Sequence, residues 1–513
     1  MRRPLAIALL LPVLCACGPQ RARKPNHDYS QAAAIHPGRV RGAMSNPREA
    51  DYYLLQVAQE GVLGVHVGGI RGMDFVLSVR DKDRRELMRV DETGIGGDEQ
   101  VLDVGVHPGA YYIVLSNKNE SADKPEQPYL MDVALEPAAG RERKPDDTLQ
   151  RASPLELPGV TRGHYWPARN LLSEGTDVAE ESWFSVDVAT GLHLLNIDLS
   201  PVPKVDPILE VYDSNAYKLV EVDSGGVGDG ESLRSFGVRG PVRDFLRLRS
   251  KYKNAGNPDV PFEILTELIP YNGKTEFEPN NQRQDATPFE GDAITGTIAP
   301  EGDVDWYKIA VQDDSKQILR AALGGLDGME LALKVCDSLG NPLLVVDDAG
   351  KGQPQVLTGI GVSKGDYYLV VSEKTGRKAE SRQTYTLTKT LTPWQAGLEY
   401  EPNGSTATAQ AVKISESVDG YIAPKGDVDF YQFNVYQKGT VMLELAGVLN
   451  VRFEMTLYDQ DDKELSTWSA PKAGESLAVE NVLDAGTYFV RLRAADPGEV
   501  NVRDKYSLRL KVR

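Results

Sequence analysis

The sequence predicts an all-β protein built as four tandem antiparallel β-sandwich domains. Three observations carry that prediction: a ten-residue phrase recurs, it alternates with period two, and it returns at the spacing of a whole domain. "GDVDWYKIAV" runs from Gly302 to Val311, and "GDVDFYQFNV" runs from Gly426 to Val435. Weaker echoes, "ADYYLLQV" and "ESWFSVDV", end at Val57 and Val188. Aligning Tyr53, Phe184, Tyr307 and Tyr431 gives intervals of 131, 123 and 124 residues. That is one domain apiece, far beyond the ~20–50 residues of a solenoid repeat.

The other elements keep step. In the aromatic strand, Tyr307, Ile309 and Val311 alternate with Trp306, Lys308 and Ala310, and Tyr431, Phe433 and Val435 alternate with Phe430, Gln432 and Asn434. This is the pattern of a half-buried strand. A strand ending in Asp81, Asp213, Asp337 or Asp459 follows 28 to 30 residues after the aligned aromatic. Next come "GAYYIVLS" from Gly109, "RDFLRLRS" from Arg243, "GDYYLVVS" from Gly365 and "GTYFVRLR" from Gly486. Each copy closes on one more short strand: "YLMDVAL", "FEILTEL", "YTLTKTL" and "YSLRLKV". Gly, Pro, Asn and Asp clusters separate these strands and no long helical pattern intervenes, which argues for sandwiches of ~100 residues. Pro and Gly gather at the joints, so the expected domains are 26–138, 141–270, 275–391 and 398–513.

A chain of 513 residues exceeds one hydrophobic core, in keeping with several domains. Its 57 Lys and Arg against 75 Asp and Glu give a formal charge of -18, which opposes phosphate backbones and excludes nucleic acid as the expected partner. At the N-terminus, Arg2 and Arg3 precede an apolar stretch from Leu5 to Leu14, too short to span a bilayer but suited to a signal peptide. The stretch ends Leu14-Cys15-Ala16-Cys17 and resembles a bacterial lipobox. Cys17 is the expected lipidation site, with Ala16 before it and Leu14 three back, leaving 1–16 as signal peptide and 17–25 as tether. No later stretch is long and apolar enough to span, so acyl chains are the expected membrane attachment. Beyond the signal only Cys336 remains, so no intrachain disulfide is expected. Cys336 alternates with Leu331, Leu333 and Val335, which places it on the solvent side of its strand.

Catalytic patterns are missing. His27, His36, His66, His107, His164 and His193 are scattered through the first two repeats, without HExxH spacing and without a GxSxG elbow. His164, in "GHYWPARN", reads as a loop histidine covering the sandwich. Glycine-rich "GIGGDE" and "GGVGDGE" fall at one place in their repeats and open onto no helix, so they read as connecting loops, not phosphate cradles. Tyr52, Trp183, Trp306 and Phe430 lie on the face opposite the inward aromatics. There they serve as contact anchors or are covered by loops.

"EFEPNNQRQDATPF" from Glu276 and "EYEPNGSTATAQAV" from Glu399 are each followed some two dozen residues later by Gly-Asp-Val-Asp-aromatic-aromatic. These segments resemble bacterial pre-peptidase C-terminal domains, which are similar to the collagen-binding domains of bacterial collagenases. The resemblance is specific over 275–391 and 398–513; repeats 1 and 2 join through internal repetition. It implies a jelly-roll-like sandwich and, in some members, a calcium ion between the N-terminal acidic segment and the acids before the aromatic strand. Carried over, the implied ligands are Glu276, Glu278, Asn280, Asn281, Asp303 and Asp305, then Glu399, Glu401, Asn403, Asp427 and Asp429. The family usually has Asp where this chain has Asn281 and Gly404, which removes a charge from each site.

Elementary chemistry supports the same site. Asp303 and Asp305 share parity with the inward Tyr307, where an unpaired carboxylate is costly. Calcium accepts six to eight clustered hard oxygens without strict geometry. Pro279 and Pro402 bias the preceding glutamates toward extended backbone. The competing reading has Asp303 and Asp427, each after a glycine, satisfying turn amides. Where the later copies have Glu278 and Glu401, the earlier ones have Lys24 and Lys144, so an ammonium is expected to neutralise those sites. The functional expectation is a non-enzymatic, lipid-anchored outer-membrane protein of the cell envelope, facing the periplasm or the surface. Its sandwiches would serve binding, adhesion or assembly, with a protein or polysaccharide ligand. The alternative is an accessory subunit of a secreted peptidase or outer-membrane complex.

Overall fold

The structure, a computed structural model, describes residues 18–44, 46–119, 127–167, 181–253 and 255–512. Cys17 and the apolar leader lie outside the described residues. Strands dominate, and alternation sets their faces. Along Val304–Val311 the side chains of Asp305, Tyr307, Ile309 and Val311 are buried, and those between them are half-buried or exposed. Val428–Val435 repeats the pattern with Asp429, Tyr431, Phe433 and Val435.

The chain divides into two compact units. The N-terminal unit comprises Met1–Leu233 and Val238–Pro270, and the C-terminal unit comprises Arg234–Gly237 and Tyr271–Arg513. In the C-terminal unit, repeat 3 forms a five-stranded sheet in the order Thr287–Pro288, Val304–Val311, Gly365–Glu373, Leu331–Cys336, Pro342–Val346. A four-stranded sheet faces it, in the order Ala293–Ile298, Glu380–Pro393, Gln317–Leu323, Gln355–Val362. Repeat 4 has the same two sheets in the same order. Tyr307, Leu319, Leu333, Leu369 and Leu387 fill the space between the sheets of repeat 3; Tyr431, Phe453, Leu492 and Tyr506 do so in repeat 4. Burying each large side chain contributes about 1.5–3 kcal/mol.

Among the described strands, one parallel pairing recurs in every repeat: a short strand runs beside the aromatic strand, with Ala33 opposite Tyr53, Ser153 opposite Phe184, Thr287 opposite Tyr307 and Gln410 opposite Tyr431. Repeat 1 adds a second, Gln20–Arg21 running parallel to Gly38–Gly42; the other pairings are antiparallel. The recurring pairing lays the N-terminal segment of each repeat along the rim between the sheets.

In the N-terminal unit, repeat 1 keeps two five-stranded sheets, but repeat 2 departs from the expected separate sheets. Glu181–Leu199 and Ser232–Ser250 run uninterrupted through the corner, joining both halves into one seven-stranded sheet. Repeat 3 breaks the corresponding strand at residues 312–316, where Asp313 accepts a turn bond from the Ser315 amide. In repeat 2, Gly191 at φ +128 carries the bend instead, a conformation open to glycine.

Three expectations about single residues are settled by packing. The glycine-rich segments are loops braced alike in every repeat: the amides of Gly96, Gly228, Gly352 and Gly474 donate to the carbonyls of Met73, Val205, Met329 and Val451. Cys336 faces away from the core, as its parity requires, yet it is buried and not on the solvent side. Tyr368, Val370 and Trp306 form an apolar cluster around it on the outer face. The outer aromatics are likewise covered: Trp306 packs on Tyr368, Phe430 on Tyr458, Trp183 on Tyr212, and Tyr52 on Tyr29.

Candidate metal centre

Each repeat begins with a segment that crosses the rim between its sheets. In repeat 3 the Glu276 amide donates to Thr295 in the four-stranded sheet, and the Asn280 carbonyl accepts from the Trp306 amide in the five-stranded one. Glu276, Glu278 and Asn280 therefore alternate inward, beside Asp305 at the start of the aromatic strand. In repeat 4 the Glu399 amide donates to Asp419, and the Asn403 carbonyl accepts from the Phe430 amide. The Glu401 carbonyl also accepts from the Gly361 amide of repeat 3, 2.8 Å away.

The result is two carboxylate triads. Oxygens of Glu276, Glu278 and Asp305 lie within 4.8 Å of one another, as do those of Glu399, Glu401 and Asp429. Glu276, Asn280, Asp305, Asn403 and Asp429 are fully buried, at 0% exposure. Hydroxyls hold the outer oxygens. Tyr385 donates to Asp305 Oδ2 at 2.6 Å and shares a hydrogen bond with Tyr307; the Thr297 amide and hydroxyl both donate to Glu276 at 2.9 Å. In repeat 4, the Tyr506 hydroxyl lies within hydrogen-bond reach of Asp429, at 2.7 Å, and of Glu399, at 2.9 Å.

Several inward oxygens lack a partner. Glu278 Oε1, Asn280 Oδ1 and Asp305 Oδ1 are buried without a hydrogen bond, and so are Asn403 Oδ1 and Asp429 Oδ1. Burial raises the pKa of Glu276 and Asp305 well above the ordinary carboxylate range, and the neighbouring carboxylates raise both further. Asp429 behaves alike, and burial together with Glu399 pushes Glu401 up to about 7. A fully ionised cluster of this kind requires a cation. The donors are all hard oxygens, without His or Cys, and the set fits a hard divalent ion rather than zinc.

The structure does not bring every sequence-predicted ligand into the triads. Asn281 is exposed and accepts from the Val304 amide, because one step along an extended segment reverses the side chain. Asp303 accepts from the Ala299 and Val304 amides, and Asp427 from the Ala423 and Val428 amides. These two acids hold the turn, as the competing reading has it, and burial together with Glu278 or Glu401 raises both well above the ordinary carboxylate range.

The N-terminal unit builds the same place differently. Lys24 Nζ donates to buried Asp51, whose other oxygen accepts from Tyr129. Lys144, nearly buried, stands 3.0 Å from Glu142 and 3.7 Å from Asp146, with Ser182 at 3.4 Å where the other repeats have Asp. Repeat 2 also has Phe184 and Phe262 in place of the paired tyrosines.

Sequence reasoning missed the closing-strand tyrosines as site residues, and it missed four glycines. Gly42, Gly163, Gly296 and Gly420 each back the site; a Cβ at Gly296 would strike Glu276, Tyr385 and Tyr307. Four glycines at one place in four repeats were the available signal. His164 sits on the strand Gly159–Tyr165, not in a loop, and its Nδ1 lies 2.6 Å from buried Asp103.

No family model and no curated protein matches the chain. Among solved structures, the pre-peptidase C-terminal domain of a collagenase from Bacillus anthracis is 16% identical, covers 22% of this chain and 100% of its own, and has a TM-score of 0.18. The BSP domain of a biofilm associated protein is 8% identical over 93% of this chain and 97% of its own, with a TM-score of 0.15. A fucolectin from striped bass (Morone saxatilis) serum is 13% identical over 45% of this chain and 94% of its own, with a TM-score of 0.14.

Proposed function

We propose that this chain is a non-enzymatic, lipid-anchored cell-envelope protein whose tandem β-sandwiches present binding surface, with the C-terminal unit braced by calcium. The enclosure of the carboxylate triads carries the reading. Glu276, Glu278 and Asp305 would hold one ion, with Asn280 Oδ1 beside them, and Glu399, Glu401, Asp429 and Asn403 would hold the other. Bound calcium would neutralise the cluster and tie the N-terminal segment to the aromatic strand. Tyr307, Tyr385 and Gly296 close over that place, which suits a structural ion and leaves a substrate little access. Calcium is favoured over magnesium because it accepts irregular oxygen sets without strict octahedral geometry.

The anchor rests on the sequence around Cys17, and the negative charge turns the chain away from nucleic acid. Among the described residues no helix is long and apolar enough to cross a membrane. The ligand would be a protein or polysaccharide met by the sandwich loops. Detergent phase partition of the native protein and of Cys17→Ser, followed by crosslinking in membranes, tests the reading. The native chain should enter the detergent phase and the variant should not. A native chain that stays in the aqueous phase would remove the anchor, and one stoichiometric partner would redirect the function to that of an accessory subunit.

A further inference from the structure

The four sites differ in a correlated way. In repeat 1 the position of Glu276 is held by Ala22 and that of Glu278 by Lys24, leaving Asp51 as the one acid of the cluster. In repeat 2, Glu142 and Asp146 remain, Lys144 stands between them, and the acid of the aromatic strand has become Ser182. Hydroxyls follow the acid. Tyr53 and Tyr129 persist where Asp51 is present, and both become Phe184 and Phe262 where Ser182 replaces it. A tyrosine hydroxyl buried without an acceptor is costly, so its loss along with the carboxylate is the expected response.

From this we infer that Lys24 and Lys144 are built-in cations: their ammonium groups occupy the place of the divalent ion, so the N-terminal unit holds its fold without metal. The inference rests on the calcium reading of the C-terminal unit for its contrast, but the ammonium geometry stands alone. Lys144 is 5% exposed, and Glu142 and Asp146 beside it are buried. Among the described residues, the Lys24 ammonium faces one carboxylate and the Lys144 ammonium faces Glu142 and Asp146, whereas a divalent ion would face a triad in repeats 3 and 4. The backbone is matched. The Lys144 carbonyl accepts from the Gly105 amide at 2.9 Å, as the Glu401 carbonyl accepts from Gly361 at 2.8 Å. Equivalent backbone therefore presents an ammonium in one unit and a carboxylate in the other.

The test is hydrogen exchange on the full chain, read by peptide, in calcium and in chelator. In the native chain, amides of residues 18–57 and 141–165 should exchange at one rate in both solutions. Lys144→Met removes the ammonium that stands beside Glu142 and Asp146, and exchange across 141–165 should rise about a hundredfold, with or without calcium. Lys144→Glu combined with Ser182→Asp rebuilds a carboxylate cluster; it should exchange fast in chelator and recover protection in calcium. The inference is overturned if Lys144→Met exchanges like the native chain, or if calcium gives the double variant no protection. Should the native C-terminal unit ignore calcium, the metal reading of that unit fails, while Lys144→Met still reports on the ammonium.

Discussion

The two units solve one electrostatic problem in opposite ways. Both have a segment that crosses the rim of a sandwich and buries polar groups beside the aromatic strand. In the N-terminal unit the positive charge is covalent: Lys24 meets Asp51, and Lys144 meets Glu142 and Asp146. In the C-terminal unit the same backbone supplies Glu278 and Glu401 instead, and inward oxygens of Glu278, Asp305 and Asp429 have no partner. On the proposed reading, the difference teaches that one junction can take its cation either tethered or free. A tethered charge cannot be withdrawn. A free one would make the C-terminal unit responsive to its medium.

The largest expected effect is pH dependence without metal. Burial and Glu399 raise Glu401 to about 7, against ~4.3 unfolded. A raised carboxyl pKa contributes stability below the unfolded value and loses it as pH rises through the folded value. In chelator, the C-terminal unit should therefore weaken steadily from about pH 4.5 to beyond pH 7, by on the order of 3 kcal/mol from Glu401 alone. Calcium at a hundred times Kd should restore about 2.7 kcal/mol per site. Denaturant unfolding across that pH range, with the units distinguished by hydrogen exchange, checks it; a C-terminal unit whose stability in chelator is flat with pH breaks the comparison.

A second effect sharpens the comparison by acting on both units. Gly163→Ala and Gly296→Ala each force a methyl group into the carboxylate and aromatic rings behind the site, at a cost of about 1–3 kcal/mol. Gly296→Ala displaces Glu276 and should also weaken calcium uptake by the C-terminal unit. Gly163→Ala should leave that uptake at its native level. Calcium titration of the two variants separates a shared scaffold from a metal-specific one, and equal calcium affinity in both would show that Glu276 is not a ligand.

The smallest effect concerns repeat 2. Phe262→Tyr brings a hydroxyl to a place without an aromatic-strand carboxylate and should cost about 1 kcal/mol. Adding Ser182→Asp provides the acceptor, so the double variant should cost less than the two single changes added together. Simple additivity in thermal melts would mean that the tyrosine pair and the acid are unrelated.

Much of this was legible in the sequence. Period two in "GDVDWYKIAV" placed Asp305 and Tyr307 on the inner face, and the exchange of Glu278 and Glu401 for Lys24 and Lys144 stood in the aligned repeats. Other features depend on distance along the chain. Tyr385 reaches Asp305 from 80 residues away, and nothing local marks its hydroxyl as a site group. Asn281 looked like a ligand by motif, but extended backbone turns it outward after Asn280. Cys336 has outward parity, and parity cannot report that Trp306 and Tyr368 cover that face. The fused sheet of repeat 2 follows from strands that keep pairing through a corner, whereas pattern reading expects a break.

The most direct measurement locates the ion. In crystals of the full chain grown with terbium in place of calcium, anomalous scattering should show one peak beside Asp305 and one beside Asp429, with none beside Lys24 or Lys144. Crystals without peaks at Asp305 and Asp429, or with a peak beside either lysine, would contradict the account.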